Sequence, residues 1–229
     1  MSVLRIIKKI FFFLLISQLS YVILLRFIDV PMTITQVASI LSGDGFQRTH
    51  LSMHALSKHA KLAVIASEDQ LFPDHNGFDI KSIQKAMNFN KKKKGKKIRG
   101  ASTISQQVAK NVFLWQGRSW FRKGLEVYFT FLIELVWGKE RILEVYLNEA
   151  EMGKGIFGME AASRKYFKKP ASKLTRTEAA MIASSLPNPK RYTVKPVSTY
   201  VGRKYPWVIR QMNNLDDDPD IARLVNSSH

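Results

Sequence analysis

Leu62-Ala63-Val64-Ile65-Ala66-Ser67-Glu68-Asp69-Gln70-Leu71-Phe72-Pro73-Asp74-His75-Asn76-Gly77-Phe78-Asp79 runs an unbroken apolar segment into four carboxylates, a histidine, a proline and a glycine. Upstream, the apolar and small residues of 51–67 recur mostly at three- and four-residue intervals, which predicts an amphipathic helix ending at Glu68. A turn follows it. A carboxylate at such a junction has a rigid stem and an open face, as a general acid or base requires. By local spacing alone, solvated acids at a helix end account for the cluster equally well.

Two further stretches shift that balance. They are Gly100-Ala101-Ser102-Thr103-Ile104-Ser105-Gln106-Gln107-Val108-Ala109-Lys110-Asn111 and Arg122-Lys123-Gly124-Leu125-Glu126. Downstream come Tyr146-Leu147-Asn148, Gly153, Gly158, Ala161-Ala162, Tyr166-Phe167, Leu174-Thr175-Arg176-Thr177-Glu178-Ala179-Ala180 and Pro187-Asn188-Pro189. Taken in this order, over roughly residues 50–195, they resemble the peptidoglycan glycosyltransferases, which polymerise lipid II into glycan strands.

The resemblance implies an all-α, lysozyme-like globular lobe. It also implies a smaller apolar jaw lobe that dips into the membrane, for which the aromatic-rich residues 112–121 are candidates, core packing being the alternative. It makes Glu68 the general base toward the C4 hydroxyl of an acceptor lipid II. The donor is the growing chain on undecaprenyl pyrophosphate, and the new link is β-1,4 with inversion. Glu126 is the second catalytic carboxylate. Lys110, Arg118 and Lys123 are placed to neutralise pyrophosphate, with or without a divalent cation such as Mg or Mn. Asp69, Ser102, Gln106, Gln107, Asn111 and Arg122 complete the substrate-binding set. No metal ligands are assigned.

Composition sets independent bounds. The 229 residues suit one core, expected at 31–229 behind a cytoplasmic tip and anchor at 1–30. Thirty-six Lys and Arg against 18 Asp and Glu leave a charge of +18, which favours a polyanionic partner or an anionic surface. With no cysteine, disulfide and thiol chemistry are excluded. Residues 10–28 are nearly all apolar and read as one transmembrane helix, with Arg26 free to snorkel to headgroups. Arg5, Lys8 and Lys9 precede it, so the remainder is expected outside the cytoplasm, on the bacterial inner membrane.

Elsewhere the pattern is structural. Helices are expected at 103–111, at 120–137 capped by Ser119, at 139–147, at 178–185 opened by a Thr175/Glu178 capping box, and at 198–215. Gln107, Lys110 and Asn111 share one face of the first. With the resemblance set aside, Arg122 and Glu126 read as an i,i+4 ion pair on a solvated face. Glycines 153, 155 and 158 read as a flexible link. The run Lys91-Lys92-Lys93-Lys94-Gly95-Lys96-Lys97 reads as a loop, either merely solvated or meeting anionic headgroups. His50 and His54 lack a third ligand and read as surface histidines. No Lys-Thr-Gly follows, and the match Ser82 to Lys85 lies inside the glycosyltransferase motifs, so a monofunctional enzyme is expected.

Three rival functions use the same features. A lysozyme-like hydrolase also needs a glutamate, but it has no reason to keep several cations beside the acid or to sit on a bilayer. A membrane-tethered nucleic-acid binder uses the charge and leaves the ordered acids unexplained, so no nucleic-acid partner is expected. An inactive scaffold would bind other cell-wall synthesis proteins without turnover. As a test of topology, a reporter active only in the cytoplasm, fused after His229, is expected to be silent.

Overall fold

A computed structural model describes residues 3–93, 100–117 and 119–226. The described chain is all-α apart from one small sheet: eleven α-helices, two 3-10 turns and three short strands. The first helix, α1 (Val3–Leu24), has 22 residues and is long and apolar enough to cross a bilayer. It starts and stops earlier than the 10–28 expected from hydropathy. Its C-terminal end is docked on protein: Trp137 Nε1 donates to Val22 O at 2.8 Å, and Arg141 Nη2 to Leu25 O at 2.9 Å. Arg26 is exposed, and its Nη1 donates to Val136 O at 2.6 Å, a cation against a helix C-terminus.

A short helix, α2 (Ile34–Leu41), carries a capping box of Thr33 and Gln36. The expected helix at 51–67 is split. Residues Met53–Ala55 form a 3-10 turn, and α3 (Lys58–Glu68) starts only at the Ser57 cap. The reason is tertiary: Asn148 Oδ1 accepts from Leu51 N and its Nδ2 donates to Leu51 O, both at 2.9 Å, while Glu144 accepts from Met53 N. Nor is α3 amphipathic, because seven successive residues, 60–66, are buried. It is the central helix, sheathed by α9 (Arg176–Ser185), α10 (Thr199–Leu215) and α11 (Pro219–Asn226). Even Lys61 is buried there, its Nζ donating to Val225 O near the end of α11.

After the acidic turn comes a helix that hydrophobic spacing did not reveal, α4 (Ile80–Lys92), capped by Asp79 Oδ1 on Ser82 N at 2.9 Å. Lys91 and Lys92 therefore belong to its last turn, where the helix dipole favours cations. The rest of the lysine run, residues 94–97, lies outside the described residues. Next come α5 (Ile104–Phe113), with the Thr103/Gln106 capping box, α6 (Trp120–Val136), capped by Ser119, and α7 (Gly138–Glu149). The 112–121 run divides: Val112 and Leu114 are core, while Trp120 is 92% exposed and Phe121 72%.

The glycine-rich link is a hairpin rather than a flexible segment. Strand β2 (Glu151–Gly153) pairs antiparallel with β3 (Ile156–Phe157), and β1 (Gln47–Arg48) adds in parallel to give the order β1-β3-β2. Gly155 sits at φ +67°, and a Cβ there would come within 2.3 Å of Asp44 O. Only glycine lets the turn pass so close to the chain leading into β1. Helix α8 (Met159–Phe167) follows the hairpin, and a 3-10 turn, Ala171–Lys173, leads to α9. His50 and His54 do not share a helix; His50 faces Asp29 at 3.1 Å and His54 is exposed.

Asn148→Ala removes the acceptor of a buried backbone donor and should cost about 2–4 kcal/mol, the range for one unsatisfied group plus a lost bond. Thermal unfolding of the detergent-solubilised chain measures it.

Candidate active site

Because α3 is buried along its length and ends at Glu68, that carboxylate emerges where the core opens. It is half-buried. Gln107 Nε2, from α5, donates to Glu68 Oε2 at 3.0 Å. Ser67 Oγ lies 3.1 Å from Glu68 Oε1 and 3.2 Å from Ala183 O, and can donate its one hydrogen to either. Tyr146 of α7 donates to Gln107 Oε1 at 3.1 Å, which leaves the amide nitrogen for Glu68. Burial, with a smaller push from the Glu68 and Asp69 charges, holds the Tyr146 phenol well above its ordinary range, so it stays a donor. Burial likewise raises the Glu68 carboxyl, against the hydrogen bonds from Gln107 and Ser67 and the positive charge of Lys204. Desolvation wins. A carboxyl so raised is suited to taking and holding a proton.

Apart from exposed Asp74, the rest of the acidic turn is committed to structure. Asp69 is buried; its carboxylate accepts from Ile104 N at 2.9 Å, at the start of α5, and meets His75 Nε2 at 3.0 Å. Thr103 Oγ1 donates to Gly77 O at 2.7 Å, and a Cβ on Gly77, at φ +84°, would strike Thr130 Cγ2 at 2.7 Å. Lys139 spans Glu134 and the carbonyl of His75 and lies 4.6 Å above the Phe72 ring. Gln106 is buried too, its Oε1 spent on Thr103 N.

On the outer face of α5, Gln107, Lys110 and Asn111 line a cleft of about 270 Å³, as their spacing predicted. The opposite walls are Thr35, Gln116, Glu149, Glu151 and residues 186–190. Lys110 is half-buried. Desolvation lowers its pKa; Glu126 and, more weakly, Glu68 oppose this, while Arg122 and Lys123 reinforce it. Lys110 thus lies in the fields of both carboxylates. Arg122 and Glu126 do form the i,i+4 pair, at 3.1 Å, but on the buried side of α6, and Lys123 Nζ also contacts Glu126. Glu126 is only 3% exposed. The two carboxylates therefore keep different company: amide and hydroxyl around Glu68, two cations around Glu126.

Of the other expected residues, Ser102 is exposed just ahead of the α5 cap, and Arg118 lies outside the described residues. Ser67, Tyr146, Thr35, Gln116, Glu149 and Lys190 were not anticipated as site residues. Tyr146 stood within a motif and Lys190 directly after Pro187-Asn188-Pro189, so both were within reach; Thr35 carries no local signal, lying ahead of the motifs in sequence.

The family described as transglycosylase matches residues 34–213, from the start of α2 into α10. This chain belongs to that family. Among similar transglycosylases, the biosynthetic peptidoglycan transglycosylase of Mannheimia succiniciproducens is 52% identical over 199 residues, covering 84% of this chain and 81% of its own. That of Escherichia coli is 55% identical over 187 residues, covering 80% and 77%. That of Haemophilus influenzae is 49% identical over 215 residues, covering 91% and 87%. The transglycosylase match takes in every described site residue named above and leaves α1 outside it.

A raised carboxyl pKa makes a testable claim on stability. The stability contributed by neutral Glu68 is full below the unfolded-state pKa and is lost as pH rises through the higher folded-state value. Glu68→Gln is therefore expected to melt above the parent at neutral pH. The gap should narrow as pH falls into the ordinary glutamate range, in a series of thermal melts.

Proposed function

We propose that this chain polymerises peptidoglycan glycan strands from lipid-linked precursors. The hydroxyl oxygen at C4 of the acceptor lipid II attacks the anomeric carbon of the donor chain. The bond from that carbon to the undecaprenyl pyrophosphate oxygen breaks, with inversion from α to β. The hydroxyl proton goes to Glu68, and the electron pair leaves on the pyrophosphate. The carrying observation is the unlike company of the two carboxylates, with Lys110 in the fields of both.

Glu68 is the base, because its partners are neutral and desolvation favours its protonated form. Tyr146 and Gln107 aim it. Lys110, Arg122 and Lys123, with Arg118, form the cation bank for pyrophosphate charge, which is present at the start and grows toward the transition state. Glu126 holds Arg122 and Lys123 in place. Asn111 and Ser102 offer hydrogen bonds to sugar or phosphate oxygens. Gln106 and Asp69 serve by building α5 and the acidic turn rather than by touching substrate.

Among the described residues no three His, Asp or Glu side chains are grouped to hold a metal ion; a Mg or Mn ion carried on the pyrophosphate oxygens themselves would need no such group. In this reading α1 anchors residues 31–229 to the outer face of the inner membrane. Other cell-wall synthesis proteins are candidate partners there. A hydrolase would have no use for cations banked around a second, buried carboxylate.

The test is incubation of the detergent-solubilised chain with labelled lipid II, scoring polymer and released lipid pyrophosphate together. Glu68→Gln should lower turnover by roughly a hundred- to ten-thousand-fold, the usual loss of a general base, with lipid II affinity near normal. Lys110→Met should weaken both binding and turnover. Full activity in Glu68→Gln, with loss only in Glu126→Gln, would assign the base to the other carboxylate. Cleavage of finished glycan without pyrophosphate release would make the chain a hydrolase.

A further inference from the structure

Helix α2 is built inside out. Gln36 and Ser39 are buried, whereas Ile34, Val37, Ile40 and Leu41 are exposed, Leu41 by 82%. Ile34, Val37 and Leu41 stand at i, i+3 and i+7 and form one continuous stripe. A helix between a protein core and water has the opposite arrangement.

The inversion is held firmly in place. Gln36 Nε2 donates to the buried Glu149 at 2.7 Å, and its Oε1 accepts from Thr33 N at 3.0 Å. Arg48 Nη1 reaches Glu149 at 2.8 Å and the carbonyl of Val30 at 3.1 Å. Ser39 Oγ donates to Gly45 O at 2.8 Å. The helix cannot roll its apolar stripe inward without stripping a buried carboxylate of its partners, which is costly.

We infer that α2 lies in the membrane interface beside the anchor, with Ile34, Val37 and Leu41 turned into the acyl region as a second lipid contact. Continuity with α1 favours a bilayer as the occupant over a protein. Exposed Phe27, Ile28 and Met32 carry the apolar surface from the end of α1 to the start of α2. Ile34 lies ten positions after Leu24, a reach of at most about 35 Å even fully extended. The contacts of Trp137 with Val22, of Arg141 with Leu25 and of Arg26 with Val136 fix the anchor against the domain, so α2 stands at a set height above it. Amphipathic helices at such interfaces bury their apolar face in the headgroup and acyl boundary.

The same contact bears on the cleft. Gln116 Nε2 donates to Thr35 Oγ1 at 2.9 Å; both line the cleft, with half-exposed Trp115 beside Gln116 and Trp120 a few residues on. Apolar surface therefore flanks this wall on both sides, and an immersed α2 brings the cleft to headgroup level. The inference rests on α1 spanning the bilayer and not on the reaction.

The chain has no cysteine, so single labels can be placed cleanly. Full-length Val37→Cys and Leu41→Cys, each carrying an environment-sensitive fluorophore, are reconstituted in phospholipid vesicles and shown to float with them. Exposed Lys173→Cys is the reference. Labels at 37 and 41 are expected to lose most of their emission to acyl-chain nitroxide lipids and little to aqueous iodide, with the reverse at 173. Quenching of 37 and 41 by iodide alone would put the stripe in water and overturn the inference. Shielding from both quenchers would also overturn it, by showing a protein cover such as a second copy of the chain. So would failure of the chain to float with vesicles.

Discussion

The Asp69 carboxylate joins the two helices on which the site depends. Standing one residue past the end of α3, it accepts from the first backbone N–H of α5 and holds His75 on its other side. A carboxylate at a helix N-terminus is favoured by charge as well as by hydrogen bonding, and burial strengthens both. With α3 and α5 so registered, Gln107 comes within reach of Glu68, and Lys110 and Asn111, one turn on, face the cleft. The acidic turn is thus mostly a clamp, with one of its carboxylates left for chemistry.

Polarity in this domain is reversed where it meets its surroundings. On α6 the Arg122, Glu126 and Thr130 face is buried, and Phe121, Phe131 and Leu135 are exposed; on α2 Gln36 and Ser39 are inside and Leu41 outside. Each reversal requires that the buried polar atoms find partners, and apart from Arg122 Nε they do so in the Arg122–Glu126–Lys123 and Arg48–Glu149–Gln36 groups. The first of these groups supplies charge to the site. The second holds up a wall of the cleft, since Glu149 lines it and Thr35 is the neighbour of Gln36. An apolar exterior and a charged interior are therefore one arrangement viewed from two sides.

Two glutamates on different helices acquire different chemistry from their neighbours alone. Glu68 meets an amide and a hydroxyl, which favour its ionised form, and a burial that outweighs them and favours the protonated one. Glu126 meets two cations in direct contact. Lys110, in the fields of both, is burdened by burial and by the like charges of Arg122 and Lys123.

Much of this was legible along the chain because it is local. Ser119, Ser198 and the Thr175/Glu178 pair announce the starts of α6, α10 and α9, since a cap is satisfied within three residues of itself. The shared face of Gln107, Lys110 and Asn111 follows from helical spacing, and the ordered motifs identify the family. Tertiary structure decided the rest. Periodicity shows that two faces of a helix differ but not which medium each will meet, so the buried charges of α6 could not be read from spacing. Adjacent Gln106 and Gln107 are chemically identical; the Thr103/Gln106 capping box is local, but only the placement of α5 beside the end of α3 gives Gln107 to Glu68. The glycines of 153–158 form a hairpin rather than a loose link because the chain before β1 passes so close that a Cβ on Gly155 would touch it. That approach joins residues more than a hundred positions apart, and no local pattern encodes it.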